Sequence, residues 1–265
     1  MKTETQPDSA GKEKKCINYI FAASAGRSGS KYLASLFTGH NDAVVFYEGK
    51  PRLNKAPMRA WLKGNPLPMQ QALLPKLKVI KHTNVNNRLY VETNHAFIKG
   101  YGWEVMKFLP EEEVAVIVLE RDAAEIAKSF YRIGVNPLNQ RGADSLITPC
   151  KQGIWVMGEK ELSRYKRNRI FARLFSAVNS VFGRKLPDPL KAYKLELLET
   201  YARLVQQLTE DFFIKHPSVT RVNATMEELK NTDFVKSLCH TIGVSYTKGM
   251  EEKIIAKANE KKRKQ

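Results

Sequence analysis

Apolar positions follow two rhythms along this chain. The run INYIFAAS, Ile17 to Ser24, is apolar, β-branched and aromatic over the length of one strand. A glycine-rich turn follows, and then Tyr32, Leu33, Leu36 and Phe37 recur at helical spacing and stop at Gly39. The order is strand, loop, helix. Further strands are predicted at Ala43 to Gly49 and at Arg88 to Asn94. The strongest lies at Glu113 to Asp122, whose apolar residues are consecutive, as in a strand covered on both faces of a parallel sheet. Helical patterns follow at Ala123 to Gly134 and Lys191 to Phe213, then a strand at Ser218 to Ala224 and a helix at Met226 to Gly243. Alternation of this kind predicts an α/β fold: a central, mostly parallel sheet with helices on both faces, whose ligands sit where strands end and helices begin.

No internal repeat or long linker divides the sequence, so one domain over residues 16–250 is expected. A polar, disordered tail over 1–15 and a basic helix or tail over 251–265 would flank it. Two stretches, Lys50 to Gln70 and Asn136 to Gly158, look irregular and suited to covering a site and choosing substrates. Both mix cationic and apolar residues, among them Met58, Trp61, Trp155 and Met157.

Composition narrows the chemistry. With 265 residues, 43% of them apolar, the chain can build a sizeable core. No apolar run is long enough to span a membrane and the N-terminus lacks the apolar stretch of a signal peptide, so a cytoplasmic protein is expected. Cys16, Cys150 and Cys239 are odd in number and far apart, which argues against a disulfide framework or a zinc site. The formal charge of +17 implies attraction to polyanions or to phosphorylated or sulfated ligands. A basic stretch from Ser163, SRYKRNRIFARLF, has the spacing of an amphipathic helix, either a solvated face or a binding patch for an acidic partner.

The turn between the first strand and helix, SAGRSGSKY, has the chemistry of an oxyanion site. A tight turn at a helix N-terminus aims several backbone N–H groups at one point, and the helix dipole adds to them. Gly26 and Gly29 allow close approach, while Arg27, Ser28 and Ser30 bring further donors. It is not the ATP and GTP loop GxxxxGK[ST], because Gly29 is followed by Ser30, Lys31 and Tyr32. GxGxxG is missing too.

What RSGSK, Arg27 to Lys31, does resemble is the 5′-phosphosulfate loop of sulfotransferases that use 3′-phosphoadenosine 5′-phosphosulfate (PAPS). That pattern is roughly [R/K]-S-G-[S/T]-[S/T] opening a helix, and Lys31 replaces its second hydroxyl residue. The family's second motif, a strand-end Arg followed by a Ser that together grip the 3′-phosphate, is matched by Arg121 and Ser129 in VLERDAAEIAKSFYR. A third, weaker similarity runs from Met226, Glu227, Glu228 and Leu229 to Ile242, Gly243 and Val244. The late RKGxxG loop of the animal cytosolic branch has no counterpart. Altogether about Ile17 to Thr247 can be laid along a sulfotransferase domain.

The resemblance implies a P-loop three-layer fold of about five parallel strands. It implies PAPS as cofactor, adenosine 3′,5′-bisphosphate as product, and in-line sulfuryl transfer to a hydroxyl or amine of a small molecule or glycan. Arg27, Ser28, Gly29, Ser30 and Lys31 would hold the 5′-phosphosulfate, Arg121 and Ser129 the 3′-phosphate, and Arg27 would also stabilise the transferring group. Neither a metal nor a nucleic-acid partner is expected. The base is Glu48, just after the second strand, or His95, just after the third; Glu48 is preferred because a strand-end carboxylate among apolar neighbours suits a general base. His82 lies too far before Arg121. Two rival classes stay open, a basic polyanion-binding or nucleic-acid-binding protein and an atypical P-loop small-molecule kinase.

Overall fold

The computed structural model describes residues 17–85, 88–137, 142, 145–147 and 191–262, and all structural statements below concern these. Five strands, β1 (Tyr19–Ala23), β2 (Ala43–Tyr47), β3 (Leu89–Thr93), β4 (Val114–Glu120) and β5 (Thr220–Thr225), form one sheet in the order β2-β3-β1-β4-β5. All four pairings are parallel, with Tyr19 beside Tyr90 on one side and Val114 on the other.

Both faces of the sheet are buried, which explains the consecutive apolar residues of β1 and β4. Tyr19, Phe21 and Ala23 of β1 and Val114, Val116 and Val118 of β4 point into one core. Their alternates Ile20, Ala22, Ala115, Ile117 and Leu119 point into the other. The first core is closed by α2 (Ala56–Leu62), α3 (Leu67–Val85), α4 (Gly102–Val105), α5 (Ala123–Arg132) and α6 (Lys191–Lys215). The second is closed by α1 (Ser30–Phe37), α7 (Thr232–Thr241) and α8 (Lys248–Lys262). The three-layer α/β architecture expected from the pattern is therefore the one observed.

Local chemistry sets the helix ends. The Asp122 carboxylate accepts from the Glu125 backbone N–H at 2.9 Å and opens α5 directly after β4. Asn231 caps α7 in the same way, accepting from Asp233 and Phe234. That cap splits the expected Met226 to Gly243 helix into a 3₁₀ turn, Glu228–Lys230, and α7.

The stretch Lys50 to Gln70 is more regular than expected. Pro57 occupies the first turn of α2, where its missing N–H costs nothing. Gly64, Asn65 and Pro66 then separate α2 from α3, whose Met69, Leu73, Leu77 and Ile80 form a buried stripe. Pro75 is tolerated inside α3 because it lies on the exposed side. The boundary expected at residue 250 falls inside α8, where Met250 and Ile254 are buried against the second core. The tail at 1–15, the basic stretch from Ser163 and most of Asn136 to Gly158 lie outside the described residues.

Because β2 and β3 lie on one side of β1 and β4 and β5 on the other, the order in which strands are added reverses between β1 and β4. A crevice opens at the carboxyl ends of strands at such a switch point. The β1–α1 loop and the end of β4 flank it.

Candidate active site

The β1–α1 loop is shaped by left-handed backbone at three of its positions, Gly26 (φ 88°), Arg27 (φ 61°) and Gly29 (φ 96°). A Cβ at Gly29 would lie 2.6 Å from the Met226 sulfur, and one at Gly26 would lie 3.2 Å from the Phe130 ring. Gly29 is the N-cap of α1, and no side chain caps that helix. Its first-turn N–H groups are left for a ligand, as an anion site requires. Ser28 is buried and donates its hydroxyl hydrogen to the Gly26 carbonyl at 3.2 Å, so it braces the loop. Ser30 and Lys31 open the helix and line a cavity of about 350 Å³ beside it.

Arg27 is where the two sequence motifs meet. Its Nε donates to Ser129 Oγ at 3.1 Å, and its carbonyl oxygen accepts from Arg121 at 2.5 Å. Ser129 sits two turns into α5 and Arg121 just past β4, so the crevice between β1 and β4 is bridged at its mouth. A second cavity of about 450 Å³ is lined by Arg121 and runs between the ends of β1 and β4 and the middle of α6.

Glu48 and His95 lie side by side on the wall of the first cavity, with His95 Nε2 3.7 Å from Glu48 Oε1. The sheet makes this pairing: Tyr47 lies beside Thr93, and the Glu48 N–H donates to the Thr93 carbonyl at 3.1 Å. One residue past β2 and two past β3 thus become neighbours. Glu48 has a left-handed backbone (φ 48°), as does Arg27, and non-glycine residues in that region concentrate at functional sites. Both side chains are about one-fifth exposed, Glu48 at 22% and His95 at 20%. His82, by contrast, is exposed in the last turn of α3 and does not line this cavity.

Beneath these residues are two polar clusters that sequence spacing did not single out. Lys76 of α3 and Glu92 of β3 form a fully buried ion pair at 2.7 Å, and Lys76 also donates to the Gly49 carbonyl at 3.0 Å. The Glu92 carboxylate is completed by Tyr90 (2.7 Å) and Asn94 (3.0 Å). This pair fastens the chain immediately after Glu48. The second cluster surrounds Lys99, which is fully buried and lies 2.7 Å from His95 Nδ1. It donates to the Ser145 carbonyl at 2.6 Å and to the Tyr201 hydroxyl at 3.0 Å. Tyr201 in turn donates to the carbonyl of Ala25, at the root of the β1–α1 loop, at 2.5 Å. Burial lowers the Lys99 pKa to about 7. Burial, and then the charge of Lys99, hold His95 well below its ordinary 6.5. The one sequence trace of the cluster is the i, i+4 spacing of His95 and Lys99.

No protein-family model matches this chain, and no curated protein does. Solved structures do match. The sulfotransferase domain from the curacin biosynthetic pathway is 13% identical with a TM-score of 0.50, over 89% of this chain and 77% of that one. The sulfotransferase domain from the Synechococcus PCC 7002 olefin synthase is 14% identical with a TM-score of 0.47, over 94% of this chain and 80% of that one. At these identities the likeness to the curacin domain is one of fold. No helix among the described residues is long and apolar enough to cross a membrane. The chain has the fold of a sulfotransferase domain, a five-stranded parallel sheet between two helical layers.

Proposed function

We propose that this protein is a PAPS-dependent sulfotransferase acting on a hydroxyl or amine of a small molecule or glycan. The observation that carries the proposal is the meeting of the two motifs at Arg27. Its carbonyl holds Arg121 and its guanidinium holds Ser129, beside a helix N-terminus that no side chain caps. The residues present suit a nucleotide with anionic groups at both ends: free N–H groups and Arg27 at one end, Arg121 and Ser129 at the other.

PAPS supplies the activated sulfuryl group. In the reaction the acceptor oxygen or nitrogen bonds to sulfur as the bond from sulfur to the 5′-phosphate oxygen breaks, releasing adenosine 3′,5′-bisphosphate. The α1 N–H groups, Ser30 and Lys31 hold the 5′ end of the nucleotide in the 350 Å³ cavity. Arg27 offsets charge on the transferring and leaving oxygens, the electrostatic service that such transfers need most. Arg121 and Ser129 hold the 3′-phosphate, and the 450 Å³ cavity next to Arg121 receives the nucleoside. The acceptor group lies between Glu48 and His95, whose 3.7 Å separation lets one oxygen touch both. Glu48 takes its proton, and His95 orients it.

The test is a screen of acceptor classes with radiolabelled PAPS, with and without EDTA. Transfer of label to a hydroxyl or amine acceptor, unaffected by EDTA, is expected. No transfer from PAPS, beside Mg²⁺-dependent transfer of phosphate from radiolabelled ATP to the same acceptors, would replace this proposal with a small-molecule kinase.

A further inference from the structure

Among the described residues, Lys99 is a buried cation with no carboxylate within hydrogen-bond reach; its three hydrogen-bond contacts there are a carbonyl, a phenol and an imidazole nitrogen. The roles of the first two are fixed. The Ser145 carbonyl can only accept, and the Tyr201 hydroxyl has given its hydrogen to Ala25, so Lys99 donates to both. The third contact, to His95 Nδ1, has two solutions. An ammonium uses its last hydrogen there, and a neutral His95 then carries its own hydrogen on Nε2. A neutral amine offers its lone pair there, and His95 then carries its hydrogen on Nδ1, leaving Nε2 with a free lone pair.

We infer that Lys99 is a positioning residue that sets which ring nitrogen of His95 bears the hydrogen, and thereby whether His95 or Glu48 can accept a proton at the acceptor group. The inference rests on the sulfotransferase proposal only for the identity of that group. Nε2 is the nitrogen that faces Glu48 and the cavity. With Lys99 as ammonium, Nε2–H donates to the acceptor oxygen and Glu48 is the available base. When Lys99 loses one proton to solvent, the ring hydrogen moves from Nε2 to Nδ1, and Nε2 becomes a second base beside Glu48. The pair together gives up one proton, and the ring stays neutral throughout. Burial places the change near pH 7, while the Glu48 carboxylate favours the charged form of Lys99.

Among the described residues, other groups facing the pair are few. Tyr201 comes from α6, and Arg52, 3.8 Å from Glu48, follows β2. Lys76 of α3 is paired with Glu92 of β3 at 2.7 Å and lies 5.3 Å from the Tyr101 ring, so its charge is already balanced. Tyr201 itself is pushed well above its ordinary range by burial, so it stays a phenol.

The test is ¹⁵N NMR of the His95 ring in the full chain, from about pH 6 to about pH 8.5. In the unaltered protein the protonated-type resonance should pass from Nε2 to Nδ1 across this range. Lys99→Met should abolish the exchange. Tyr201→Phe, which removes an acceptor from the ammonium, should move it to lower pH, and it decides the question even if Lys99→Met does not fold. The activity lost in Glu48→Gln should be larger at the acid end of the range than at the alkaline end. One tautomer throughout, or an exchange that survives in Lys99→Met, would overturn the inference. Neither NMR result depends on sulfuryl transfer. Should the protein fail to bind adenosine 3′,5′-bisphosphate while the tautomer exchange holds, the functional proposal fails alone.

Discussion

The guanidinium of Arg121 donates to the carbonyl oxygen of Arg27 at 2.5 Å, joining the end of β4 to the loop that follows β1. Arg121 also lies 3.8 Å from the Glu125 carboxylate, and the loop depends on Arg121 for one backbone contact. Arg121→Ala is therefore expected to weaken adenosine 3′,5′-bisphosphate binding by about 2–5 kcal/mol, the usual cost of removing one partner of a close charge pair. Adenosine 5′-phosphosulfate, which lacks the 3′-phosphate, should lose much less, only what the loosened loop costs. Calorimetric titration of both ligands checks this, and equal losses would refute the assignment.

Glu48→Gln keeps the shape of the side chain and removes its basic oxygen. Turnover is expected to fall by about 10²- to 10⁴-fold, the usual contribution of a general base, with bisphosphate binding unchanged. His95→Asn should be milder at acid pH, where Nε2 only donates. Normal turnover in Glu48→Gln beside a collapse in His95→Asn at every pH would transfer the base role to His95.

Gly29→Ala tests the loop geometry. A side chain at φ 96° is strained whatever the space, and its Cβ would meet Met226 at 2.6 Å. A loss of roughly 1–3 kcal/mol in stability is expected from the backbone conformation. Binding of the bisphosphate should fall with it, because the α1 N–H groups are displaced. Chemical denaturation and titration measure the two effects separately; unchanged binding would show that the loop does not touch the ligand.

Stability should carry the mark of Lys99. In the native chain its proton is lost near pH 7, whereas the unfolded chain keeps it up to the ordinary value of 10.5. Between those values the unfolded state holds more protons, so stability rises with pH, by at most about 1.4 kcal/mol per unit. His95 acts in the same sense but only below its ordinary 6.5. Cys239, pushed up to about 11 by burial, acts in the opposite sense above its ordinary 9.0. Denaturation between about pH 7.5 and 8.5 isolates the Lys99 contribution, and the slope there should flatten in Lys99→Met.

What the sequence disclosed was what lies close together along it. Strand, glycine turn and helix are consecutive at Ile17 to Gly39, and Arg121 and Ser129 share one strand end and one helix, so their pattern could be read directly. The meeting of Arg27 with both of them could not, because it depends on β1 lying beside β4 in the sheet order. Glu48 and His95 were candidates singly; their pairing follows from the β2–β3 register. Lys99 was missed because its partners Ser145 and Tyr201 are 46 and 102 residues away in the chain. Helices α2 and α3 were hidden by prolines and glycine that mark their first turn, their junction and an exposed face.

The account stands on one binding event. Isothermal titration of the full chain with adenosine 3′,5′-bisphosphate in the presence of EDTA should give a dissociation constant on the order of micromolar. It should be weakened by Arg121→Ala and by loss of the Arg27 guanidinium. Absence of binding, or tighter binding of ATP with Mg²⁺ or of an oligonucleotide, would contradict it.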